Sequence, residues 1–415
     1  MNPVLPKNHF VPDSEARVMP DGRLYVYGSY DLSGNMSYCS DILHVFSTDD
    51  LVNWTDHGVS FSTKCIPWAK EDSLLYAPDC IHRNGKYYLY FCLSDGAEGV
   101  AVSNFPYGPF ENAEKIDYAS GDGIDPAIFV DDDGRAYYYW GQFSLRAAEM
   151  SADMKTLKKE SVILDLIDEK RHGFHEGASV RKFKDTYILL YTCILRGKAT
   201  CLAHATAKHP LGPYVFRGIV IDNIGVDPET WNNHGSIECF DGNWYVFYHR
   251  SSQNSPFNRR LCIEKINISD DGYIEEALPT SSGVDSPLCA LNPIPASSAC
   301  RLGGWGAKAF IAPDPFLQNE EVIQNAEKDG WAVFRYIDFS ESVNRFTIEY
   351  ASNAIGTLDV WAGDCKIATV SLEDTLMRYC DSSSVSLPFQ GICTLYLEWH
   401  LKEGSAKFRI FRFSS

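Results

Sequence analysis

Short stretches in which apolar and polar residues alternate recur along the whole chain. Five of them are rich in aromatic side chains and begin at a turn-forming pair of residues. They are DGRLYVYGSYD (21–31), NGKYYLYFCLSD (84–95), DGRAYYYWGQF (133–143), KDTYILLYTC (184–193) and DGNWYVFYHRSS (241–252). Asp-Gly or Asn-Gly before an alternating apolar run is a strong signal for a β-hairpin. We therefore predict five hairpins.

The five hairpins belong to one longer repeat. Each is followed by a second strand with its own turn, and the unit returns about every 50 to 60 residues, the length of a four-stranded propeller blade. No apolar stretch of ordinary helix length has a period of 3.6, which argues against an α/β fold. We predict a five-bladed β-propeller. A β-sandwich is the alternative, because short strands alone do not separate the two folds.

The pattern changes after Glu276. A stretch rich in Ser and Pro predicts a linker. Six further alternating segments then follow at short spacing, which is typical of a small antiparallel sandwich. The predicted organisation is all-β, with a propeller catalytic domain at 1–280, a linker at 281–300 and a β-sandwich (jelly roll) at 301–415.

Charge and cysteine content narrow the possible partners. The 415 residues include 37 Lys plus Arg against 55 Asp plus Glu, a net charge of −18, with no basic cluster. Nucleic acid and anionic membranes are therefore not expected as partners. The 13 Cys residues form no CxxC pair, which predicts buried, reduced thiols. The first ten residues contain no apolar leader, so we expect a cytoplasmic protein.

Acidic residues recur at one position of the repeat. Asp13, Asp125 and Glu176 each lie eight residues before a hairpin turn, which predicts that they meet where the innermost strands converge on the axis. His234 and Asp79 lie seven and five residues before their turns and are expected nearby. Buried carboxyl groups repel one another, an arrangement that is costly unless function uses it to separate their pKa values. Hydrolysis of a glycosidic bond needs one carboxylic acid and one carboxylate.

Each acid has a plainer interpretation when taken alone. Asp125 precedes Pro126 and could form a turn, and Asp13 could be solvated. Glu176 stands beside two His residues, but their spacing matches no zinc signature. No HExxH, GxSxG or P-loop motif is present, so other hydrolytic and nucleotide chemistries are not indicated.

At these positions the chain resembles glycoside hydrolase family 43, over Met1 to about Glu276. The matching motifs are PDSEARV, IDPAIFVDDDG and HEGAS. The resemblance implies that Asp13 is the general base, that Glu176 is the general acid and that Asp125 adjusts the proton affinity of the acid. It also implies an axial His at His234 and a substrate-binding Arg at Arg259 or Arg260. Further substrate contacts are expected from Asp31, Tyr76, Asp79 and Trp140.

The family's activity implies an exo-acting, inverting glycosidase that needs no cofactor. We expect it to release terminal α-L-arabinofuranosyl or β-D-xylosyl units from plant oligosaccharides. The alternatives are another furanosidase, such as a β-D-galactofuranosidase, and a catalytically silent propeller that binds glycans. If a metal is present, we expect a structural calcium ion near the axis, by His234.

The C-terminal segment resembles a family 6 carbohydrate-binding module. Such modules usually carry an aromatic residue beside the last strand, where it stacks on a sugar. This chain has Ala406 and Lys407 there. Sugar binding and a purely structural role therefore remain equally open for this domain. The sequence also does not show which sugar and which linkage the protein cleaves, or its oligomeric state.

Overall fold

The computed structural model describes residues 1–117, 123–284, 287–305 and 309–414. Within these ranges the one α-helix is the single turn Glu169–His172. Short 3-10 turns lie at Thr63–Cys65, Lys159–Ser161, Ala296–Ser298 and Pro315–Leu317. The rest of the regular structure is β, which confirms the predicted class.

Five antiparallel sheets, here called blades 1 to 5, lie between Glu15 and Ile266 of the described chain. Blade 1 has β1 (Glu15–Val18), β2 (Leu24–Tyr27), β3 (Ile42–Thr48) and β4 (Trp54–Ser62). Blade 2 has β5 (Leu75–Arg83), β6 (Lys86–Leu93), β7 (Glu98–Ser103) and β8 (Glu111–Lys115). Blade 3 has β9 (Ala127–Val130), β10 (Ala136–Trp140), β11 (Ser144–Met150) and β12 (Ile163–Asp168). Blade 4 has β13 (Phe174–Phe183), β14 (Thr186–Cys193), β15 (Cys201–Ala207) and β16 (Val215–Asp222). Blade 5 has β17 (Ser236–Phe240), β18 (Asn243–Ser252) and β19 (Ser255–Ile266).

The first strand of each blade contacts the first strands of both neighbouring blades, so β1, β5, β9, β13 and β17 form a closed ring. A parallel bridge from Ser14 to Gly235 joins blade 1 to blade 5. The N-terminal segment also lies against blade 5, where the Val4 N–H donates to the Leu261 carbonyl at 3.1 Å. This closed ring confirms the five-bladed propeller and excludes the sandwich alternative for the first part of the chain.

The Asn-Gly turn of blade 2 and the Asp-Gly turn of blade 5 have the backbone that their sequences predict. Asn84 and Gly85 have φ of 51° and 71°, and Asp241 and Gly242 have φ of 48° and 73°. Two consecutive residues in this left-handed region are the requirement of a tight hairpin turn, which Asn-Gly and Asp-Gly meet at little cost. In the other two Asp-Gly turns only the glycine has a positive φ, 82° at Gly22 and 81° at Gly134. The five predicted hairpins are confirmed, because the first two strands of each blade pair antiparallel.

Apolar side chains fill the space between adjacent blades, so both faces of a central strand are buried. In β10, Tyr137 and Tyr139 pack towards blade 4, and Tyr138 and Trp140 pack with Tyr90 of blade 2. These four aromatic side chains of β10 are fully buried. Successive side chains of these strands therefore point to two different apolar faces, and both faces are buried.

The C-terminal domain is one curled sheet, nine-stranded over the described residues. Its strands are β20 (Leu288–Cys289), β21 (Ile294–Pro295), β22 (Arg301–Trp305), β23 (Phe310–Asp314), β24 (Glu320–Ser352), β25 (Gly356–Ala362), β26 (Cys365–Leu372), β27 (Cys380–Asp381) and β28 (Val385–Ser414). The long strands β24 and β28 pair with each other through repeated register shifts, which bend the sheet around a core that includes Phe334, Trp399 and Phe411. The sandwich-like domain is confirmed.

The stretch 281–300, predicted as a linker, is built into this sheet. It supplies β20 and β21, and Ile294, Ala296 and Ala299 are buried in the C-terminal core. The sequence did not predict these strands because the apolar residues of this stretch are few, lie among Ser and Pro residues and show no period.

Polar contacts fix the C-terminal domain against the propeller. The Arg260 guanidinium on β19 donates to both carboxylate oxygens of Glu321 at 2.9 Å, and all of these groups are buried. Arg250 donates to the carbonyl of Ala299 at 2.8 Å.

All 13 cysteines are free thiols, and seven of them are buried as predicted. The prediction of buried thiols is wrong for the other six, of which four are exposed. Among the described residues there is no helix of sufficient length and apolar character to span a membrane.

Candidate active site

A pocket of about 250 Å³ opens at one end of the propeller axis. Asp13, Asp125 and Glu176, from blades 1, 3 and 4, all line it, as their common offset from the hairpin turns predicted. Its other lining residues are Tyr38, Cys39, Tyr76, Ile124, Gln142, His175, Ala199, Trp231, Asn232, His234 and Arg259. Residues far apart in the sequence thus meet in one pocket, because they lie where the chain enters the innermost strands and these strands converge on the axis.

Local backbone geometry aims the acids into the pocket. Asp13 and Asp125 lie two residues before β1 and β9 and have the same left-handed φ of 54°, so the equivalence of their positions extends to the backbone. Glu176 lies on β13 and is followed by Gly177 at φ 65°. A Cβ on Gly177 would come within 2.7 Å of the His234 ring, so this position requires glycine. The Gly177 N–H donates to Asp125.

Asp13 is held in its ionised form. Burial opposes ionisation, but the surrounding interactions, of which the charge of the Arg259 guanidinium is the largest, outweigh it and lower the pKa of Asp13. Nη1 of Arg259 donates to Oδ1 of Asp13 at 2.9 Å. The fully buried His249 accepts from the Asp13 backbone N–H at 3.4 Å, and burial lowers the pKa of this histidine to about 3. Asp13 is therefore suited to accept a proton.

Asp125 is in the opposite state. Burial, followed by the negative charges of Glu176 and Asp13, raises the pKa of Asp125 well above its usual value. Asp125 therefore holds its proton more tightly than an ordinary carboxyl group. Gln142 orients Glu176 by donating from Nε2 to Oε2 at 2.7 Å. The pocket therefore holds an ionised carboxylate, Asp13, together with a carboxyl group of raised proton affinity, Asp125.

His234 lies between the acids. Its Nδ1 is 3.8 Å from Oδ1 of Asp13 and 3.8 Å from Oδ2 of Asp125. Burial lowers the pKa of His234, although Asp13 and Glu176 act to raise it, so the ring is neutral at neutral pH.

Calcium prefers six to eight oxygen ligands. Within the described part of the chain, His234 belongs to no group of three His, Cys, Asp or Glu side chains close enough to share an ion. An ion on His234 would therefore depend on water for most of its ligands.

Four predicted substrate-binding residues lie outside the pocket lining. Asp31 is buried behind Arg259 and accepts from its Nε at 3.0 Å and from its Nη2 at 2.9 Å. Asp79 accepts from Arg17 at 3.0 and 2.6 Å on the axis. Trp140 is fully buried against Tyr138.

The fourth of these residues, Arg260, binds Glu321 at the domain boundary. Neighbouring strand residues point to opposite faces, so only one of Arg259 and Arg260 could reach the pocket. Arg259 is that residue, and Tyr76 and His234 also line the pocket as expected.

Several lining residues were not predicted. Trp231 and Asn232 come just before His234, and His175 precedes Glu176, so closeness in sequence to a predicted residue was an available signal. Gln142 follows the end of β10, in a loop that faces the axis. Tyr38 packs over the Arg259 guanidinium at 4.6 Å, and no sequence pattern marks it.

Comparisons with known proteins agree with this geometry. The model of glycosyl hydrolases family 43 matches residues 1–274. A xylosidase/arabinosidase from Thermoclostridium stercorarium is 30% identical, over 99% of this chain and 98% of its own. A β-xylosidase/α-arabinofuranosidase from a compost microbial metagenome, solved with xylotriose in a calcium-free form, matches 67% of this chain and 97% of its own, with 31% identity and a TM-score of 0.59.

An arabinoxylan arabinofuranohydrolase from Bacillus subtilis matches the structure over 100% of this chain and 97% of its own, with a TM-score of 0.59. Its sequence identity is 22%, so it shows that the fold is shared over both domains.

A five-bladed propeller with three carboxyl groups gathered at one end of its axis defines a propeller glycoside hydrolase. The chain belongs to glycosyl hydrolase family 43. The prediction of a glycoside hydrolase is thereby confirmed.

Proposed function

We propose that the protein is an exo-acting, inverting glycosidase that releases terminal α-L-arabinofuranosyl or β-D-xylosyl units from oligosaccharides. In this proposal Asp13 is the general base, Glu176 is the general acid and Asp125 adjusts the proton affinity of Glu176. The observation that carries it is that a buried, ionised Asp13 lines the same pocket as Glu176 and as Asp125, whose pKa is raised by burial and by the charge of Glu176.

The reaction uses both sides of this pocket. Asp13 takes a proton from a water molecule, whose oxygen attacks the anomeric carbon while the glycosidic bond breaks. Glu176 gives its proton to the departing oxygen, so the leaving sugar departs as a neutral alcohol. Water enters from the face opposite the leaving group, which inverts the anomeric carbon. Proton exchange with solvent then restores both carboxyl groups.

The shape of the pocket supports release of single units. Its volume of about 250 Å³ is small for a ligand site and suits one sugar ring, which favours cleavage at a chain end. Trp231 is 58% exposed at the pocket and offers a face on which the next sugar could stack. A pentose as the released unit is supported by the xylosidase and arabinosidase activities named for the relatives.

Hydrolysis of 4-nitrophenyl α-L-arabinofuranoside, β-D-xyloside and β-D-galactofuranoside tests the specificity. We expect turnover of one or both pentosides, with the galactofuranoside much slower. Faster turnover of the galactofuranoside would replace the pentose assignment with the alternative furanosidase. Asp13→Asn, which keeps the size of the side chain but removes the base, is the matched inactive control.

Proton NMR of the product first formed from a pentoside tests the mechanism. We expect the anomer opposite to that of the substrate. Retention of configuration would contradict the assignment of Asp13 as a base and would imply a covalent intermediate.

We also propose that any metal on the propeller axis is a structural calcium ion at His234. The melting temperature with excess calcium and with a chelator should then differ in the parent and not in His234→Ala. An equal melting temperature in both solutions for the parent would remove calcium from the proposal.

A further inference from the structure

Two histidines and one aspartate meet on blade 1, away from the catalytic pocket. They are His9 in the N-terminal segment, His44 on β3 and Asp56 on β4, here called the His-His-Asp cluster. Each offers one possible metal-ligand atom, and these three atoms lie within 4.8 Å of one another. None of the three residues lines the catalytic pocket. The cluster is therefore separate from the residues proposed to act on the sugar.

The strand register places two of these side chains on one face. Asp56 is opposite Phe46 in the pairing of β3 with β4, and Phe46 is two residues from His44. Side chains two residues apart on a strand share a face, so His44 and Asp56 project to the same side of blade 1. The N-terminal segment brings His9 to this side, where its ring packs edge-on against Phe46 at 5.0 Å.

The distances within the cluster fit a small divalent cation. Nδ1 of His44 is 3.0 Å from Oδ1 of Asp56, and Nε2 of His9 is 3.7 Å from Oδ2 of Asp56. Zinc binds imidazole nitrogen and carboxylate oxygen at about 2.0–2.2 Å in a tetrahedral arrangement, which puts neighbouring ligand atoms about 3.4 Å apart. The two measured distances lie on either side of this value, so an ion requires only small movements of the side chains.

Neighbouring groups orient the ligands. Nδ1 of His9 is 3.0 Å from the Tyr30 hydroxyl, and with Nδ1 as the donor the free lone pair of the ring lies on Nε2, the nitrogen that faces Asp56. The His44 ring stacks on the Tyr30 ring at 4.3 Å. Oδ1 of Asp56 accepts from the Gly58 N–H at 2.8 Å. Outer contacts of this kind fix metal ligands in place and raise their affinity for the ion.

The negative charge of Asp56 has no lysine or arginine beside it. Over the described residues its ionic partners are the two histidines alone. The described chain has one other group of this composition, formed by Asp359, Glu398 and His400 in the C-terminal domain. There Lys366 already donates to Asp359 at 3.1 Å. A cation is thus in place in the second group, whereas the His-His-Asp cluster offers an unbalanced carboxylate.

The cluster is partly buried but can be reached from solvent. The side chains of His9, His44 and Asp56 are 14%, 13% and 32% exposed. Partial burial strengthens the attraction between a carboxylate and a cation, because solvent screens it less. The exposed side leaves room for water, which completes the shell of zinc sites that have three protein ligands.

We propose that the His-His-Asp cluster binds one divalent transition-metal ion, with zinc as the preferred ion. Imidazole nitrogen and carboxylate oxygen are ligands of zinc, whereas calcium prefers six to eight oxygen ligands. The ion displaces the proton between Nδ1 of His44 and Oδ1 of Asp56, because a ligand nitrogen must present its lone pair to the metal. The site differs in place and in ion from the calcium site proposed at His234.

A bound ion ties the N-terminal segment to blade 1. The carbonyl of Phe10, the residue after His9, accepts from the Asp31 N–H at 2.9 Å, and Asp13 follows three residues later. The ion therefore crosslinks β3 and β4 to the chain just before the proposed base. We expect it to stabilise the folded protein, since binding to the folded state alone adds to its stability.

Isothermal titration calorimetry of the full chain with zinc chloride tests the proposal. Bound metal is first removed with a chelator, which is then dialysed away, and the exposed thiols are alkylated because thiolates also bind zinc. We expect one tight site per chain. His44→Ala removes a ligand and should raise the dissociation constant at least about tenfold, because even outer contacts are worth about 10- to 100-fold in affinity.

Two further variants complete the test. Asp56→Asn keeps the size of the side chain and an oxygen acceptor for the Gly58 N–H but removes the charge, so it should weaken zinc binding and guards against loss of fold. His400→Ala removes a histidine from the second group and should bind as the parent does. Zinc should raise the melting temperature of the parent and of His400→Ala, with little effect on His44→Ala and Asp56→Asn.

No zinc binding to the metal-free parent would overturn the inference, as would parental affinity in both His44→Ala and Asp56→Asn. Loss of binding in His400→Ala alone would place the ion at the second group and would also overturn it. Neither readout uses hydrolysis, so the result does not depend on the proposed function. The same metal-free protein serves for the calcium test at His234, which keeps the two ions apart.

Discussion

Two clusters of buried charge lie along the propeller axis, and they differ in how their charges are balanced. The first, here called the axial floor, consists of Glu15, Arg17, Asp79, Arg181 and Glu238. The second is the catalytic pocket with Asp13, Asp125, Glu176 and Arg259. Both clusters are built from the innermost strands of the same blades, so the fold alone does not decide which one performs chemistry.

The axial floor joins all five blades. Arg17 of blade 1 donates to both carboxylate oxygens of Asp79 in blade 2 and, at 2.7 Å, to the Ile128 carbonyl in blade 3. Arg181 of blade 4 donates to Glu15 at 2.7 Å and to Glu238 of blade 5 at 3.0 Å. Two guanidinium groups thus serve three carboxylates, which leaves little unpaired charge.

The catalytic pocket has fewer cations for its acids. Arg259 serves Asp13, while Asp125 and Glu176 share their site without a paired cation among the described residues. Burial and the charge of Glu176 raise the pKa of Asp125, and the pocket is open to ligand. Carboxyl groups that lack a paired cation, at a place a substrate can reach, therefore distinguish the chemical site from the structural one.

The largest expected effect comes from removing the proposed base. Asp13→Ala should lower kcat/KM by about 10³- to 10⁴-fold, because water must be activated whatever group leaves. The loss should be equal for a natural oligosaccharide and for an aryl glycoside with an acidic leaving group. Steady-state kinetics on both substrates checks this, and a loss confined to one of them would reassign Asp13.

Removing the proposed acid should instead separate the two substrates. Glu176→Ala should cost about 10²- to 10³-fold on the oligosaccharide and far less on the aryl glycoside, because a good leaving group needs little protonation. The ratio of the two kcat/KM values, measured for parent and variant, is the readout. Equal losses on both substrates would refute the general-acid role, and Asp13→Ala is the control for that pattern.

A break in the axial floor should affect stability and not chemistry. Arg17→Met leaves Asp79 buried without its cation and leaves Glu15 with Arg181 alone, and should lower the free energy of unfolding by about 3–5 kcal/mol. Arg23→Met removes an arginine of the same blade whose partner, Asp49, is exposed, and should cost less than about 1 kcal/mol. Urea unfolding monitored by tryptophan fluorescence gives both values.

The folded fraction of Arg17→Met should retain kcat close to that of the parent. A stable but inactive Arg17→Met protein would show that the axial floor takes part in catalysis and does not serve stability alone.

The sequence predicted those features that depend on local turns and on a fixed offset from them. The Asn84-Gly85 and Asp241-Gly242 pairs marked hairpins, and the eight-residue offset brought Asp13, Asp125 and Glu176 into one pocket. The C-terminal strands were predicted for the same reason, because alternation reports local backbone geometry.

The sequence could not show which residues contact each other in the folded protein. Asp79 lies close to the axis, but its partner Arg17 is 62 residues away, and nothing local distinguishes an ion-paired acid from a catalytic one. Trp140 looked available for a sugar because alternation does not reveal that both faces of β10 are covered. Arg260 differs from Arg259 only in the face to which it points, which depends on strand register.

The smallest expected effect concerns the proton balance of the axial floor. Burial, aided by the charge of Asp79, raises the pKa of Glu15 from 4.5 to about 7 although Arg181 and Arg17 act to lower it. Between these two pH values the folded protein keeps a proton that the unfolded chain releases. The contribution of Glu15 to stability is therefore complete below about pH 4.5 and is lost as the pH rises towards about 7. Glu15→Gln cannot titrate, so its stability relative to the parent should improve by about 2 kcal/mol between about pH 5 and about pH 7.5. Urea unfolding at the two pH values measures the difference, and the denaturant slopes of the two proteins should agree. A difference that is the same at both pH values would mean that Glu15 is ionised throughout. The axial floor would then be a fully charged network with one more carboxylate than it has cations, and would differ less from the catalytic pocket.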